Sequence, residues 1–355
     1  MRLPPRNRAI TTLFSNRRLV PRIVALYAGL IALNLLAWGW ALIAFRHQPV
    51  LTGTAMLAYS LGLRHAVDAD HIAAIDSVTR KLIQQDRKPL SVGLFFSLGH
   101  STVVVLACVG LAVIGNVLHV RLAGLREIGA TFGTAISAAF LLGVAAINLT
   151  ILRTTWRTFR RVRREESFLE ASLDASLTGR GIVSRVLKPM YRLISASWHM
   201  YPLGFLFGLG FDTASEIGLL GISASQASQG APFWTILVFP ALFTAGMSLV
   251  DTTDSVLMTS AYGWAFVKPI RKLYYNMTMT LLSVVIAVVV GGMEALGLVA
   301  DHFGLSGGLW DWIYGLSGHA DIAGFAIVTL FLVSWGISTL LHKRREYDDL
   351  ILAAR

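Results

Sequence analysis

Between residues 65 and 71 the chain sets His65, Asp68, Asp70 and His71 inside an apolar stretch, LGLRHAVDADHIAAIDSVTR. His65 and Asp68 are separated by three positions, as are Asp68 and His71, so a helix brings them to one drifting face. Asp70 falls about 140° from His65 on an ideal helix. Either Asp70 serves a second role or the helix is interrupted there. Further along, FFSLGHSTVV carries His100 directly after Gly99, where a neighbouring backbone can come close. Ser97, Ser101 and Thr102 are candidates to orient that imidazole. LGFDTASE puts Asp212 and Glu216 four positions apart, and GMSLVDTTDS puts Asp251 and Asp254 three apart. Two carboxylates on one helix face repel unless a cation, a proton or a base lies between them.

The donor set is imidazole and carboxylate, without thiolate. It suits a borderline divalent ion such as nickel, cobalt or zinc. Calcium would call for more oxygens and fewer imidazoles. The candidate ligands are His65, Asp68, Asp70, His71, His100, Asp212, Glu216, Asp251 and Asp254. An ion of this kind takes about four to six donors, so some of these residues must act as charge compensation or support.

The elements that carry them are membrane spans. The 355-residue chain is 55% hydrophobic and only 14% charged, against about 25% charged in soluble domains. Its mean hydropathy is +0.62. Runs of about 20 apolar residues predict helices at 23–45, 51–75, 91–116, 129–153, 199–224, 233–259, 273–297 and 318–341. The expected fold is an all-α polytopic membrane protein of about eight transmembrane helices. The second, fifth and sixth spans contain the acidic residues. Charge at membrane depth is costly and points to function. Glu294 in the seventh reads as a pathway residue or as one near the outer end.

The net charge of +11 does not form a basic face for nucleic acid; the basic residues cluster between apolar runs. They fall in the N-terminal tail 1–22, the loop holding Arg80, Lys81, Arg87 and Lys88, the long loop 154–198, the loop with Lys268, Arg271 and Lys272, and the tail 342–355. The intervening loops are poor in Lys and Arg. By the positive-inside rule, both termini are expected in the cytoplasm, with spans one to four over 23–153 and five to eight over 199–341. The first run is long enough to be retained as a span rather than a signal peptide. The arginines of TWRTFRRVRREE, at the start of the long loop, suit anionic lipid headgroups. A single cysteine, Cys108, excludes a disulfide framework.

A short internal echo links FSLGHS (96–101) to FTAGMS (243–248), and Gly62-Leu63 to Gly208-Leu209. With the spans above, helices two to four and five to seven would form an inverted repeat. Other classes fit less well. No HExxH helix is present for a metalloprotease. Ser97, His100 and Ser101 make a weak hydrolase site. A proton-coupled organic-cation carrier scarcely needs several histidines.

Four motifs in order, RHAVDADHI from Arg64, FSLGHSTVV from Phe96, LGFDTASE from Leu209 and GMSLVDTTD from Gly246, resemble those of the nickel/cobalt transporter family of secondary permeases. In the third, Ser215 stands where many members have threonine. The resemblance implies eight spans and uptake of Ni²⁺ or Co²⁺ across the cytoplasmic membrane, the ion being substrate and not cofactor. It implies that His65, Asp70 and His71 are essential, with His65 involved in selectivity. No obligatory ATPase subunit is expected. The long loop lacks the histidine-rich run of a related efflux branch, which favours uptake; efflux and proton-coupled transport of another cation are the alternatives.

Overall fold

A computed structural model describes residues 19–85, 87–114, 131–150, 152–153, 156–157, 194–210, 213–265, 269–311, 315 and 329. Among the described residues the regular elements are helices. They are α1 (Val20–Ala44), α2 (Pro49–His65), α3 (Ala69–Gln84), α4 (Val92–Ile114), α5 (Thr131–Thr150), and, after a 3₁₀ turn at Ser197–His199, α6 (Met200–Gly208), α7 (Ala214–Ser228), α8 (Phe233–Ile236), α9 (Val238–Ala265) and α10 (Pro269–Phe303). Among the described residues five helices are long and apolar enough to cross a bilayer: α1, α4, α5, the α8–α9 run and α10. Large apolar side chains face outward along α1 (Ile31, Leu35, Leu36, Ile43) and α10 (Leu281, Val285, Val288, Val289). A soluble surface would not carry stripes of this size, so these faces meet lipid. The span expected at 318–341, most of the long loop and both tails lie outside the described residues.

The two remaining spans are not continuous helices. The second breaks at residues 66–68 between α2 and α3, and in the fifth α6 ends at Gly208 while α7 begins only at Ala214. Each second half starts from an extended residue, Asp68 (ψ 147) or Thr213 (ψ 145). An acid sits in the first turn of each, Asp70 in α3 and Glu216 in α7, where the helix dipole favours negative charge. Unwound backbone at membrane depth is tolerated where protein buries it and where it lines a site. The interruption that the position of Asp70 left open in the second span is present, just before Asp70, and the helix expected over 199–224 is corrected to two helices, α6 and α7.

Glycines fix how the halves pack. A Cβ added at Gly62 of α2 would lie 2.2 Å from the Phe243 carbonyl oxygen of α9, and one at Gly246 of α9 would lie 2.9 Å from the Tyr59 carbonyl oxygen of α2. The same arrangement recurs between α6 and α4. A Cβ at Gly204 would lie 2.0 Å from the Phe96 carbonyl oxygen, and one at Gly99 2.0 Å from that of Tyr201. Tyr59-Ser-Leu-Gly62 thus packs on Phe243-Thr-Ala-Gly246, and Tyr201-Pro-Leu-Gly204 packs on Phe96-Ser-Leu-Gly99. The first helix of each expected repeat packs on the second helix of the other. In this packing Gly62 corresponds to Gly204, four residues before the Gly208 that the sequence echo suggested.

The two pairs meet where α4 and α9 cross. Gly93 abuts the Asp251 carbonyl and Ser97 donates to Ser248 at 3.1 Å, so α4 and α9 run antiparallel. Helix α1 also runs antiparallel to α9: Tyr27 bonds Thr253, Asn34 reaches the Ala245 carbonyl, and Phe45 stacks on Phe239. Opposite directions for spans one and six, and for three and six, follow from strict alternation. One apolar core gathers α1, α2, α4, α7 and α9, and a second gathers α3, α4, α5, α6 and α10. The polar residues lie between them.

Candidate metal centre

His65 is the last residue of α2, and the break that follows turns Asp68 back onto it. The His65 Nδ1–H donates to Asp68 Oδ2 at 2.9 Å. Asp68 occupies the N-cap of α3 yet makes no side-chain cap bond, because its carboxylate is engaged by the imidazole. The Thr213 hydroxyl, from the break in the other repeat, lies 3.3 Å from the same nitrogen. With Nδ1 carrying the proton, the lone pair of His65 is on Nε2, facing inward. This is how a second residue sets the tautomer of a metal-binding histidine.

His65 Nε2 is 2.9 Å from His100 Nε2. Gly99 and Gly208 allow this approach: α6 passes so close that a Cβ at Gly208 would sit 2.8 Å from the His100 carbonyl oxygen. Glu216 Oε1 lies 2.8 Å from His100 Nε2 and 3.9 Å from His65 Nε2. The Thr213 hydroxyl holds the other oxygen of Glu216 at 3.2 Å and caps α7 by accepting from the Glu216 N–H. This Thr-x-x-Glu sequence is a capping signature that could have drawn attention to Thr213.

His71, in the first turns of α3, completes the group. One nitrogen from each of His65, His71 and His100 can be chosen so that all lie within 4.8 Å of one another. His71 is fully buried, yet neither ring nitrogen has a hydrogen-bond partner among the described residues. Its Nδ1 stands 3.5 Å from Asp251 Oδ2, close enough for electrostatic attraction but too far for a good hydrogen bond. Both Asp251 carboxylate oxygens are likewise buried without a hydrogen bond among the described residues. Orphaned buried polar atoms of this kind call for a missing partner. Phe96 packs edge-on against His71, and Phe243 lies against His65, closing the centre to water.

Of the residues the sequence marked, His65, Asp68, His71, His100, Glu216 and Asp251 come together. Asp70 does not join them; it is half-buried at the start of α3, within electrostatic reach of His71. Asp254 lies one turn beyond Asp251 and faces Asp76 electrostatically. Asp212 falls outside the described residues. Among the described residues the expected hydroxyl support for His100 is not found: Ser97 bonds Ser248, Thr102 bonds the Leu98 carbonyl and Tyr201, and the Ser101 hydroxyl is buried without a hydrogen bond. Helix geometry turns those hydroxyls toward their own backbone and the neighbouring helix, and Glu216 from α7 meets His100 at Nε2, the nitrogen that faces His65. Sequence reasoning missed Thr213 and Asp76.

The three imidazoles are grouped closely enough that they could hold a metal ion. Metal–nitrogen bonds of about 2.1 Å place two nitrogens on one ion at most ~4.2 Å apart. A 4.8 Å separation therefore needs a closure of roughly 0.6 Å. The carboxylates of Glu216 and Asp251 would offset the charge of a +2 ion in a medium where an isolated charge is unstable.

The chain matches the model of a family described as high-affinity nickel-transport protein over residues 51–341. It is 56% identical over 328 residues to a high-affinity nickel transport protein of Cupriavidus necator, covering 92% of this chain and 93% of that one. It is 47% identical over 334 residues to the nickel transporter NixA of Staphylococcus aureus, covering 94% and 97%. It is 41% identical over 288 residues to the cobalt transport protein NhlF of Rhodococcus rhodochrous, covering 80% and 81%. No solved structure matches it.

Proposed function

The chain belongs to the high-affinity nickel-transport protein family, and from that membership and the buried imidazole centre we propose the following reading. The protein is a multi-pass membrane transporter, not an enzyme, and takes up divalent nickel or cobalt. The observation that carries the choice of site is the trio of His65, His71 and His100 with two buried ring nitrogens of His71 unsatisfied among the described residues. Packing alone would leave that imidazole at a loss.

In this reading the ion sheds water at the crossing of α4 and α9. His65, His71 and His100 supply nitrogen donors; Glu216 and Asp251 supply oxygen or charge. Asp68 and Thr213 hold His65, and Asp70, Asp212 and Asp254 serve the approach and departure of the ion. The chain sits in the cytoplasmic membrane with eight spans and both termini inside. The glycine-locked pairs, α2 with α9 and α6 with α4, move as units and rock at the α4–α9 crossing, exposing the centre to each side in turn. The membrane potential favours inward movement of a +2 ion by about 4–5 kcal/mol at about 100 mV, so the ion gradient and potential suffice without a nucleotide-driven subunit.

Radiolabelled nickel uptake into cells tests the site. At equal membrane abundance, His71→Ala should lose most high-affinity uptake, and cobalt should compete in the wild type. Unchanged uptake by the variant would remove His71 from the transport path. An organic-cation carrier would be indifferent to trace nickel.

A further inference from the structure

Beyond the histidines, toward the end of α3, lies a second group of buried charges. Asp76 of α3 is buried, and accepts a 2.6 Å hydrogen bond from Ser283 of α10. Asp254 of α9 is within electrostatic reach of both Asp76 and Asp251. Asp251, Asp254 and Asp76 therefore form an acidic line from the imidazole centre to α10. One turn beyond Asp76 on the same helix stands Arg80. It is 1% exposed, and its two terminal guanidinium nitrogens have no hydrogen-bond partner among the described residues. No ion pair joins it to an acid among the described residues.

A guanidinium does not lose its charge, and a buried charge without a partner is strongly unfavourable. A residue kept in this way needs a partner at some stage of its protein's work. Positions four apart on a helix carry their Cβ atoms about 5–6 Å from one another, well within the reach of an arginine side chain, so the carboxylate of Asp76 is available through a rotamer change alone. In the arrangement described, Ser283 holds Asp76 and Arg80 stands aside.

Resting on the transport reading above, we propose that Arg80 is a tethered counter-cation of the transport cycle. When metal occupies the path, the acids are neutralised by the ion. Once it has left, Arg80 turns to Asp76 and Asp254 and takes over that neutralisation, allowing the carrier to return without metal. The other charged groups nearby are already engaged: the Lys81 ammonium donates to the Ile194 carbonyl, and Glu294 of α10 has an interaction of its own. Arg80 is thus a positioning residue for the return step and not a metal ligand.

Net uptake and exchange separate the two halves of the cycle. Exchange of external labelled nickel for internal unlabelled nickel uses only the loaded carrier; net uptake also needs the metal-free return. Purified full-length protein in liposomes, with an imposed inside-negative potential, permits both measurements. Arg80→Gln should lower net uptake at least tenfold and leave exchange within twofold of wild type. Arg80→Lys, which keeps the charge, should recover most of the net flux. Asp76→Asn combined with Arg80→Gln should recover part of it, because one of the charges that Arg80 helps to neutralise is gone. Nickel binding to the purified variants reports whether the histidine centre is intact. A parallel loss of both fluxes in Arg80→Gln with binding preserved, or no loss of net uptake, would overturn the proposal. If wild type itself moved no nickel in either assay, the transport reading would fail instead.

Discussion

Asp68→Ala tests whether the break in the second span exists to set the tautomer of His65. The carboxylate accepts from His65 Nδ1 at 2.9 Å, and among the described residues the Thr213 hydroxyl is the other polar atom near that nitrogen, at 3.3 Å. Losing a residue that orients a metal-binding histidine typically weakens affinity by about 10–100-fold, or about 1.4–2.7 kcal/mol. Part of that effect is charge, since the carboxylate also favours a nearby cation. Asp68→Asn separates the two, keeping an acceptor for Nδ1–H without the charge. The expected order of nickel affinity is wild type, then Asp68→Asn, then Asp68→Ala, with Asp68→Ala plus Thr213→Val weakest because both described partners of Nδ1 are then gone. Isothermal titration of purified protein in detergent gives the dissociation constants, and thermal unfolding shows whether the variants are folded. In uptake assays the half-saturating nickel concentration should rise while the maximal rate changes little. Nickel binding by folded Asp68→Ala within twofold of wild type would refute the argument, since the ring would then be oriented by something other than the turn at 66–68.

Glu216→Gln should weaken nickel binding by tenfold or more, because it removes one of the two charges nearest the nitrogen donors while keeping the shape; the same titration measures it. Binding should weaken as pH falls, because protons compete with metal for imidazole nitrogens, and titrations in buffers of different ionisation enthalpy should show proton release on binding. Gly204→Ala and Gly62→Ala should each destabilise the protein by about 1–3 kcal/mol through overpacking, since the new methyl would meet carbonyl oxygens at 2.0 and 2.2 Å; Gly29→Ala, with nothing within 4 Å, serves as the control in thermal unfolding. Dissipating the membrane potential with an ionophore should slow initial uptake, in proportion to the share of the roughly 4–5 kcal/mol that drives entry.

Much of the protein is legible in its residue order. Apolar runs give the spans because lipid demands helices of about 20 residues, and α1, α4, α5 and α10 lie close to where they were expected. Histidines and acids in such runs identify a polar centre because nothing else justifies their burial. Spacing within one helix also carries to the structure: Asp251 and Asp254 do follow one another along α9.

Tertiary structure decided which of those groups meet. Periodicity treats Asp68 as a helical neighbour of both histidines, but the break at 66–68 commits its carboxylate to His65. It also leaves Asp70 apart and His71 facing Asp251. Glu216 reaches His100 across 116 positions of chain, and Ser283 reaches Asp76 across 207. The reason is physical. The period of a helix fixes angles about its own axis, whereas contact between helices depends on where their axes cross and how near they come. Here that distance is set by Gly62 and Gly246 in one pair and by Gly99 and Gly204 in the other, where carbonyl oxygens occupy the space that side chains would need.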